Sequence, residues 1–347
     1  MDRKNNLRRR EFIKTTTFSG IGLGLAGRSL LNNDTGNIPG GKVGIIGLDT
    51  SHSTAFTRAL NDPAAGPEFG GYKVTAAYPK GSNDIKSSVD RIPGYTDEVK
   101  KLGVEIVSSI EELLLKVDVV MLETNDGRLH LGQALPVLKA GKRMFIDKPV
   151  AASLTDAMAI FEAAKHYKVP VFSSSSLRYI AGAKEIREGS LGKVLGADVY
   201  SPATIEKTHP DLFWYGVHGV ETLFTIMGTG CKTVIRTYTD NTDMVVGTWN
   251  ENRIGTFRGI RYGKADYGGT VFGEKGISVL GKYSGYNLLL AEIIKFFQTG
   301  IVPVNPEETT EIFAFMAAAE ESKLNGGSSV ELEKVIRSAR EKITLTY

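Results

Sequence analysis

Cys231 is the single cysteine among 347 residues, so no disulfide can form within the chain and no second thiol supports dithiol redox chemistry. Cys231 therefore reads as structural. No apolar run is long enough to span a bilayer; the longest weakly apolar stretch, residues 15–27, is too short. Internal repeats are absent. An excess of one charge is also lacking once the N-terminus is set aside. The formal net charge is +3, but residues 1–40 hold seven Lys or Arg against three Asp or Glu, which leaves the remainder at −1. That balance excludes the basic footprint of a nucleic-acid or membrane-surface binder.

Two glycines are missing where they would be most expected. Lys42–Gly47 reads as a buried strand entering a glycine turn, the opening of a nucleotide-binding βαβ unit. A G-x-G-x-x-G turn would follow, but the chain continues Gly47-Leu48-Asp49-Thr50-Ser51-His52. Asp49 and His52 stand at the second and third glycine positions. The second glycine normally lets the backbone approach a pyrophosphate, and the third lets helix and strand pack closely. Asp49 adds bulk and a like charge there, or else it or Ser51 simply caps the following helix. The N–H groups at that helix start can still receive an anion.

What is present at the N-terminus is specific. Arg8-Arg9-Arg10-Glu11-Phe12-Ile13-Lys14 and the apolar run behind it resemble a twin-arginine export signal. Residues 1–40 are thus expected to be a signal peptide and linker, and the mature protein to be periplasmic.

From Lys42 to Phe172, apolar strands alternate with helical patterns, which predicts a doubly wound parallel α/β sheet over residues 41–175. From Gly192 onward, short β-branched and aromatic strands separated by Gly, Asn and Asp turns predict an open, largely antiparallel sheet. Residues 176–347 would form this α+β domain, with two late helices near 288–298 and 307–324 returning to the first domain. The open sheet, with Tyr238, Trp249 and Phe257 on its strands, is expected to pack a second copy of the chain or the C-terminal helices.

Two segments carry candidate chemistry. Asp147-Lys148-Pro149 follows a predicted strand, at the strand ends where open α/β sheets bind ligands, so Lys148 can face the crevice and hydrogen-bond a substrate hydroxyl. In Trp214–Glu221, His218 and Glu221 lie three apart on one helix face. His218 suits a general base there, with Glu221 orienting the ring or binding substrate. Asp49, His52, Glu123, His130, His209, His218 and Glu221 could ligate a metal, but no pair has metal-motif spacing and none is assigned.

These residues resemble the glucose–fructose oxidoreductase and inositol dehydrogenase (Gfo/Idh/MocA) family, over about Lys42 to Leu332. The carriers are the turn at Gly47, Val117–His130 leading into Gln133-Ala134, and Asp147-Lys148-Pro149 for the family's E-K-P. Ser176-Leu177-Arg178-Tyr179, the segment around His218 and Gly273-Glu274-Lys275-Gly276 complete the set. The resemblance implies a Rossmann-type domain and an oxidoreductase using NAD or NADP on a sugar or polyol, with Lys148 and His218 flanking the reacting carbon. It also implies cofactor contacts from Gly47, Leu48, Thr50, Ser51, His52, Lys80, Thr124, His130, Asp147, Lys148 and Arg178. Substrate contacts would come from Ser176, His209, Tyr215, His218 and Glu221.

Two departures bear on the cofactor. Pro79 stands where an acidic ribose partner would sit, so Lys80 and Ser82 could instead receive a 2′-phosphate. Trp214 replaces the family's Asp four residues before the histidine. The alternative to a dehydrogenase is a cofactor-free relative that uses the same crevice as a sugar lyase, hydratase or binding protein.

Overall fold

The computed structural model describes residues 40–345. The twin-arginine segment lies outside the described residues. Among the described residues, no helix is long and apolar enough to cross a membrane.

The first sheet is built from β1 (Lys42–Ile46), β2 (Lys73–Tyr78), β3 (Glu105–Ile106), β4 (Val119–Leu122), β5 (Met144–Ile146) and β6 (Val171–Ser173). All six run parallel in the order β3-β2-β1-β4-β5-β6, the doubly wound arrangement that places a ligand crevice at the strands' carboxyl ends. Strands β1, β4, β5 and β6 are almost wholly buried, as expected of a sheet covered on both faces. The intervening helices are α1 (Ser51–Asn61), α2 (Lys86–Lys101), α3 (Ile110–Leu114), α4 (His130–Lys139) and α5 (Leu154–Tyr167). Helix α2 begins at Lys86 and continues through Pro93. Pro93 sits on its exposed side, where water can satisfy the carbonyl that the ring leaves unpaired.

The second sheet follows α6 (Ala183–Arg187). It contains β7 (Val194–Pro202), β8 (Cys231–Thr239), β9 (Thr242–Trp249), β10 (Ile254–Ile260), β11 (Gly268–Gly273), β12 (Gly276–Leu280) and the two-residue β13 (Val330–Glu331). The order is β12-β11-β7-β10-β9-β8-β13, antiparallel except for the β7–β10 pair. Helices α7 (Asp211–Trp214), α8 (Val217–Met227), α9 (Asn287–Thr299), α10 (Pro306–Leu324) and α11 (Leu332–Glu341) complete the chain.

Trp249 and Phe257 do not face outward. Both are buried on the inner side, with Trp249 tilted against Phe224 of α8 and Phe315 of α10. Period-2 alternation turns every other residue inward, and these two fall on that register. Tyr238, Ile254, Ile277 and Val279 are among the exposed apolar residues of the sheet. Cys231 is buried and free, and burial pushes its thiol up to about 12, which suits a structural residue.

Every residue of α8 is buried. A helix apolar on all sides is a core element, and α8 packs between β7 and the turn Ser176–Tyr179 that follows β6. It carries His218 to the crevice of the first sheet.

Candidate active site

Gly47 ends β1 with φ +90, and a Cβ there would collide with Thr124, so only glycine lets the β1 and β4 exits approach this closely. The N–H groups of Gly47 and Leu48 donate to the carbonyls of Tyr78 and Pro79, at 2.8 and 3.2 Å. Thr50, not Asp49 or Ser51, is the N-cap of α1; its hydroxyl accepts from the His52 N–H at 3.5 Å.

Asp49 is fully buried and acts as a clamp. Its carboxylate accepts from the Asn125 N–H at 2.9 Å and the Ser82 N–H at 3.1 Å, tying the exits of β4 and β2 to that of β1. Burial raises its pKa, with the two amides opposing the shift. Gly81 makes room for this carboxylate, since a Cβ there would strike it. The Ser82 hydroxyl donates to Asp84 and Asp126, both at 2.9 Å, and Arg128 pairs with the same two carboxylates. Of the two residues offered for a 2′-phosphate, Lys80 is exposed and Ser82 is held by these carboxylates.

A cavity of about 240 Å³ opens beside this clamp. Thr50, Ser51 and His52 of α1 form one wall, with Ser87 and Arg91 of α2 facing them. Lys148, Ser176, Trp214, Tyr215 and His218 also line it, with Tyr267, Tyr283 and Tyr286, the last packed edge-on to His52. Asp49 does not line it. A helix start, two serine hydroxyls and a guanidinium form a donor set that fits the anionic part of a dinucleotide. A larger hollow of about 650 Å³ lies between α5, α10 and α11, lined by residues such as Phe161, Glu311 and Arg340. It holds none of the candidate residues.

Lys148 follows β5, and its Nζ lies 5.9 Å from the centre of the Tyr215 ring. His218 is buried, with Nδ1 2.6 Å from Ser175 Oγ and its ring edge-on to Tyr215. Burial, then the charges of Lys148 and His52, hold its pKa well below the ordinary 6.5, so the imidazole is neutral near pH 7. Tyr215 and Tyr267 share a hydrogen bond at 2.9 Å, and Tyr283 meets Ser176 at 3.0 Å. Burial raises the pKa of both Tyr267 and Tyr283, which keeps these phenols protonated as neutral hydrogen-bonding groups.

The structure thus gathers Thr50, Ser51, His52, Lys148, Ser176, Tyr215 and His218 around one cavity. It leaves Gly47, Leu48, Lys80, Thr124, His130, Asp147, Arg178, His209 and Glu221 off its lining. His130 is a buried brace between the carbonyls of Thr124 (2.6 Å) and Val150 (3.2 Å). His209 packs on Trp214, with Nε2 3.4 Å from Asp126. Glu221 shares a helix face with His218 but does not touch it. Its oxygens accept from Ser174 Oγ and the Ser175 N–H, both at 2.8 Å, and from Arg178 Nε at 3.0 Å. Arg178 is engaged by Glu221 and Glu308. The Ser176–Tyr179 turn is a 3₁₀ helix, whose three residues per turn carry Arg178 to a different side from Ser176. Arg91 and the three later tyrosines carried no sequence signal, because they reach the cavity from separate elements.

Residues 41–175 match the model of the Gfo/Idh/MocA oxidoreductase family, an NAD-binding Rossmann fold. A 1,5-anhydro-D-fructose reductase from Ensifer adhaerens is 34% identical over 122 residues, 33% of this chain and 36% of that protein. The chain therefore spans about a third of the length of this curated relative. A scyllo-inositol dehydrogenase from Lactobacillus casei, solved with NAD(H) and scyllo-inositol, superposes with a TM-score of 0.67 at 15% identity. It covers 85% of this chain and 99% of its own. GenD2 from gentamicin A biosynthesis, solved in complex with NAD, gives 0.67 at 16% identity over 89% of this chain and 99% of its own. At such identities the likeness shows the fold: a parallel Rossmann-type sheet followed by a mixed, largely antiparallel one.

Proposed function

We propose that this chain, whose Rossmann domain matches the Gfo/Idh/MocA family, is an NAD(P)-dependent oxidoreductase acting on a hydroxyl of a sugar or polyol. The observation that carries the reading is that one cavity's lining brings together the Lys148 ammonium and a histidine held neutral, both beside the Tyr215 ring. A volume near 240 Å³ suits a single sugar ring and lies below the roughly 300–1,000 Å³ of most ligand pockets. Its lining of hydroxyls, a guanidinium and aromatic faces matches a polyol. The family relation and the relatives named 1,5-anhydro-D-fructose reductase and scyllo-inositol dehydrogenase support the same substrate class.

When bound, the nicotinamide ring supplies the two-electron redox chemistry. The chain's own groups do the rest. In the tautomer whose Nδ1–H donates to Ser175 Oγ, 2.6 Å away, His218 presents a bare Nε2 that takes the substrate's hydroxyl proton. Lys148 hydrogen-bonds the same oxygen and stabilises the negative charge that grows on it. Trp214, Tyr267 and Tyr283 restrict water around the reacting centre. Thr50, Ser51, Ser87 and Arg91 would hold the cofactor's anionic part.

The deciding experiment purifies the protein without added cofactor, denatures it, and seeks nicotinamide dinucleotide by mass spectrometry, with NAD and NADP titrations alongside. Stoichiometric release or saturable binding is expected. No release and no binding at millimolar concentration would sink the dehydrogenase reading and leave the same acid–base pair for non-redox sugar chemistry.

Export is part of this proposal, supported by Arg9-Arg10 and the residues behind them. Changing both arginines to lysine is expected to retain the protein in the cytoplasm on cell fractionation. Unchanged periplasmic recovery would count against it.

A further inference from the structure

Beneath the cavity wall, three side chains from three separate places in the sequence meet. His52 comes from the first turn of α1, Glu123 from the end of β4 and Asp147 from the end of β5. One ligand atom from each lies within 4.8 Å of the others, and His52 Nδ1 is 2.8 Å from Asp147 Oδ2. All three residues are buried, Glu123 and Asp147 almost completely.

A second observation concerns what these atoms lack. Both oxygens of Glu123 have no hydrogen-bond partner, while His52 Nδ1 and Asp147 Oδ2 meet only each other. A wholly buried carboxyl with neither oxygen satisfied, aimed at such a pair, is unusual, since buried polar groups are nearly always satisfied. The Asp147 oxygen facing away from the group, Oδ1, accepts from the Lys148 N–H at 2.8 Å.

We propose that His52, Glu123 and Asp147 form a buried site for a divalent first-row transition-metal ion such as zinc or manganese. One imidazole and two carboxylates are an N/O set suited to those ions, whereas magnesium and calcium prefer oxygen alone. Zinc bonds of about 2.0–2.1 Å set tetrahedral ligand atoms about 3.4 Å apart, a separation between the 2.8 Å of the His52–Asp147 contact and the 4.8 Å span of the set. Three protein ligands leave a further coordination position. The ion anchors the start of α1 to the ends of β4 and β5. It also explains His52 at a position that close helix–strand packing would give to glycine.

The test is elemental analysis of the purified full chain after dialysis. Calorimetric titration of the chelator-treated protein with zinc, manganese and magnesium follows. About one transition-metal ion per chain is expected, retained or taken up with preference over magnesium. Glu123→Gln, close to isosteric, should weaken affinity by more than the roughly 10–100-fold that outer-shell changes cause. His52→Ala should do the same. His209→Ala, a buried histidine outside the cluster, should leave affinity unchanged. Absence of metal together with no uptake of any of the three ions would overturn the proposal. So would equal affinity in Glu123→Gln and the parent protein. Neither readout depends on nicotinamide binding or turnover, so this site can fail while the proposed function stands, and the reverse.

Discussion

Alanine at position 218 is expected to lower kcat by about 10²–10⁴-fold, the usual worth of a positioned general base. The loss follows from geometry, because His218 lines the same cavity as Lys148, with one ring nitrogen engaged by Ser175 Oγ. The pH profile is the more searching readout. A base must be unprotonated to act, so activity falls as pH drops through its pKa. Burial and two neighbouring positive charges hold that pKa well below 6.5, so the acid limb should lie below the ordinary histidine range. In Lys148→Met one of those charges is gone, and the limb should move to higher pH while the maximal rate also falls. The assay is initial rate of dinucleotide reduction from pH 4 to 9 on whichever polyol the protein turns over. An acid limb unmoved by Lys148→Met, or a His218→Ala enzyme within threefold of the parent, would remove His218 from the proton transfer.

Arg178→Ala should destabilise the fold by about 3–5 kcal/mol, the usual cost of removing one partner from a buried ion pair. Arg178 and Glu221 have side chains only 2% and 6% exposed. Burial already holds the Glu221 carboxyl above its usual range, with the Arg178 charge the leading opposing influence. Without Arg178, Glu221 keeps only Ser174 and the Ser175 N–H as donors, and Glu308 loses its partner as well. The pair joins α8 to the turn after β6, so its loss loosens the seating of His218. Urea unfolding of parent and variant measures the change. Nicotinamide affinity of the folded variant should stay within about twofold. A large loss of affinity at unchanged stability would instead make Arg178 a cofactor contact, as the family resemblance implies.

The alternation of apolar strands with helices was legible along the chain because it is a local, periodic property. Each strand must bury both faces, and each helix one stripe, wherever the rest of the chain lies. The unusual turn after β1 was visible for the same reason, since G-x-G-x-x-G is a short contiguous pattern. Lys148 and His218 were legible from their positions, one after a strand and one on a helix beside aromatics. The shared face of His218 and Glu221 was also readable. Both side chains do reach the same residue, Ser175, one through its hydroxyl and the other through its N–H.

What those residues touch was not readable. Asp49 looked like an obstacle to phosphate or a helix cap, and became a clamp only when the loops after β2 and β4 brought two N–H groups to it. Arg178 and His209 carry side chains suited to ligands, yet buried carboxylates from distant segments claim or flank them.

The amino-acid sequence by itself determined the α/β class, with a parallel sheet followed by a largely antiparallel one, through spacings that act within one strand or helix. Only the tertiary structure decided the roles of Asp49, Glu221 and Arg178, and only it assembled His52, Glu123 and Asp147. Those three lie 71 and 24 positions apart in the chain. They meet because β1, β4 and β5 are successive neighbours in a parallel sheet, whose carboxyl ends must all open on the same side.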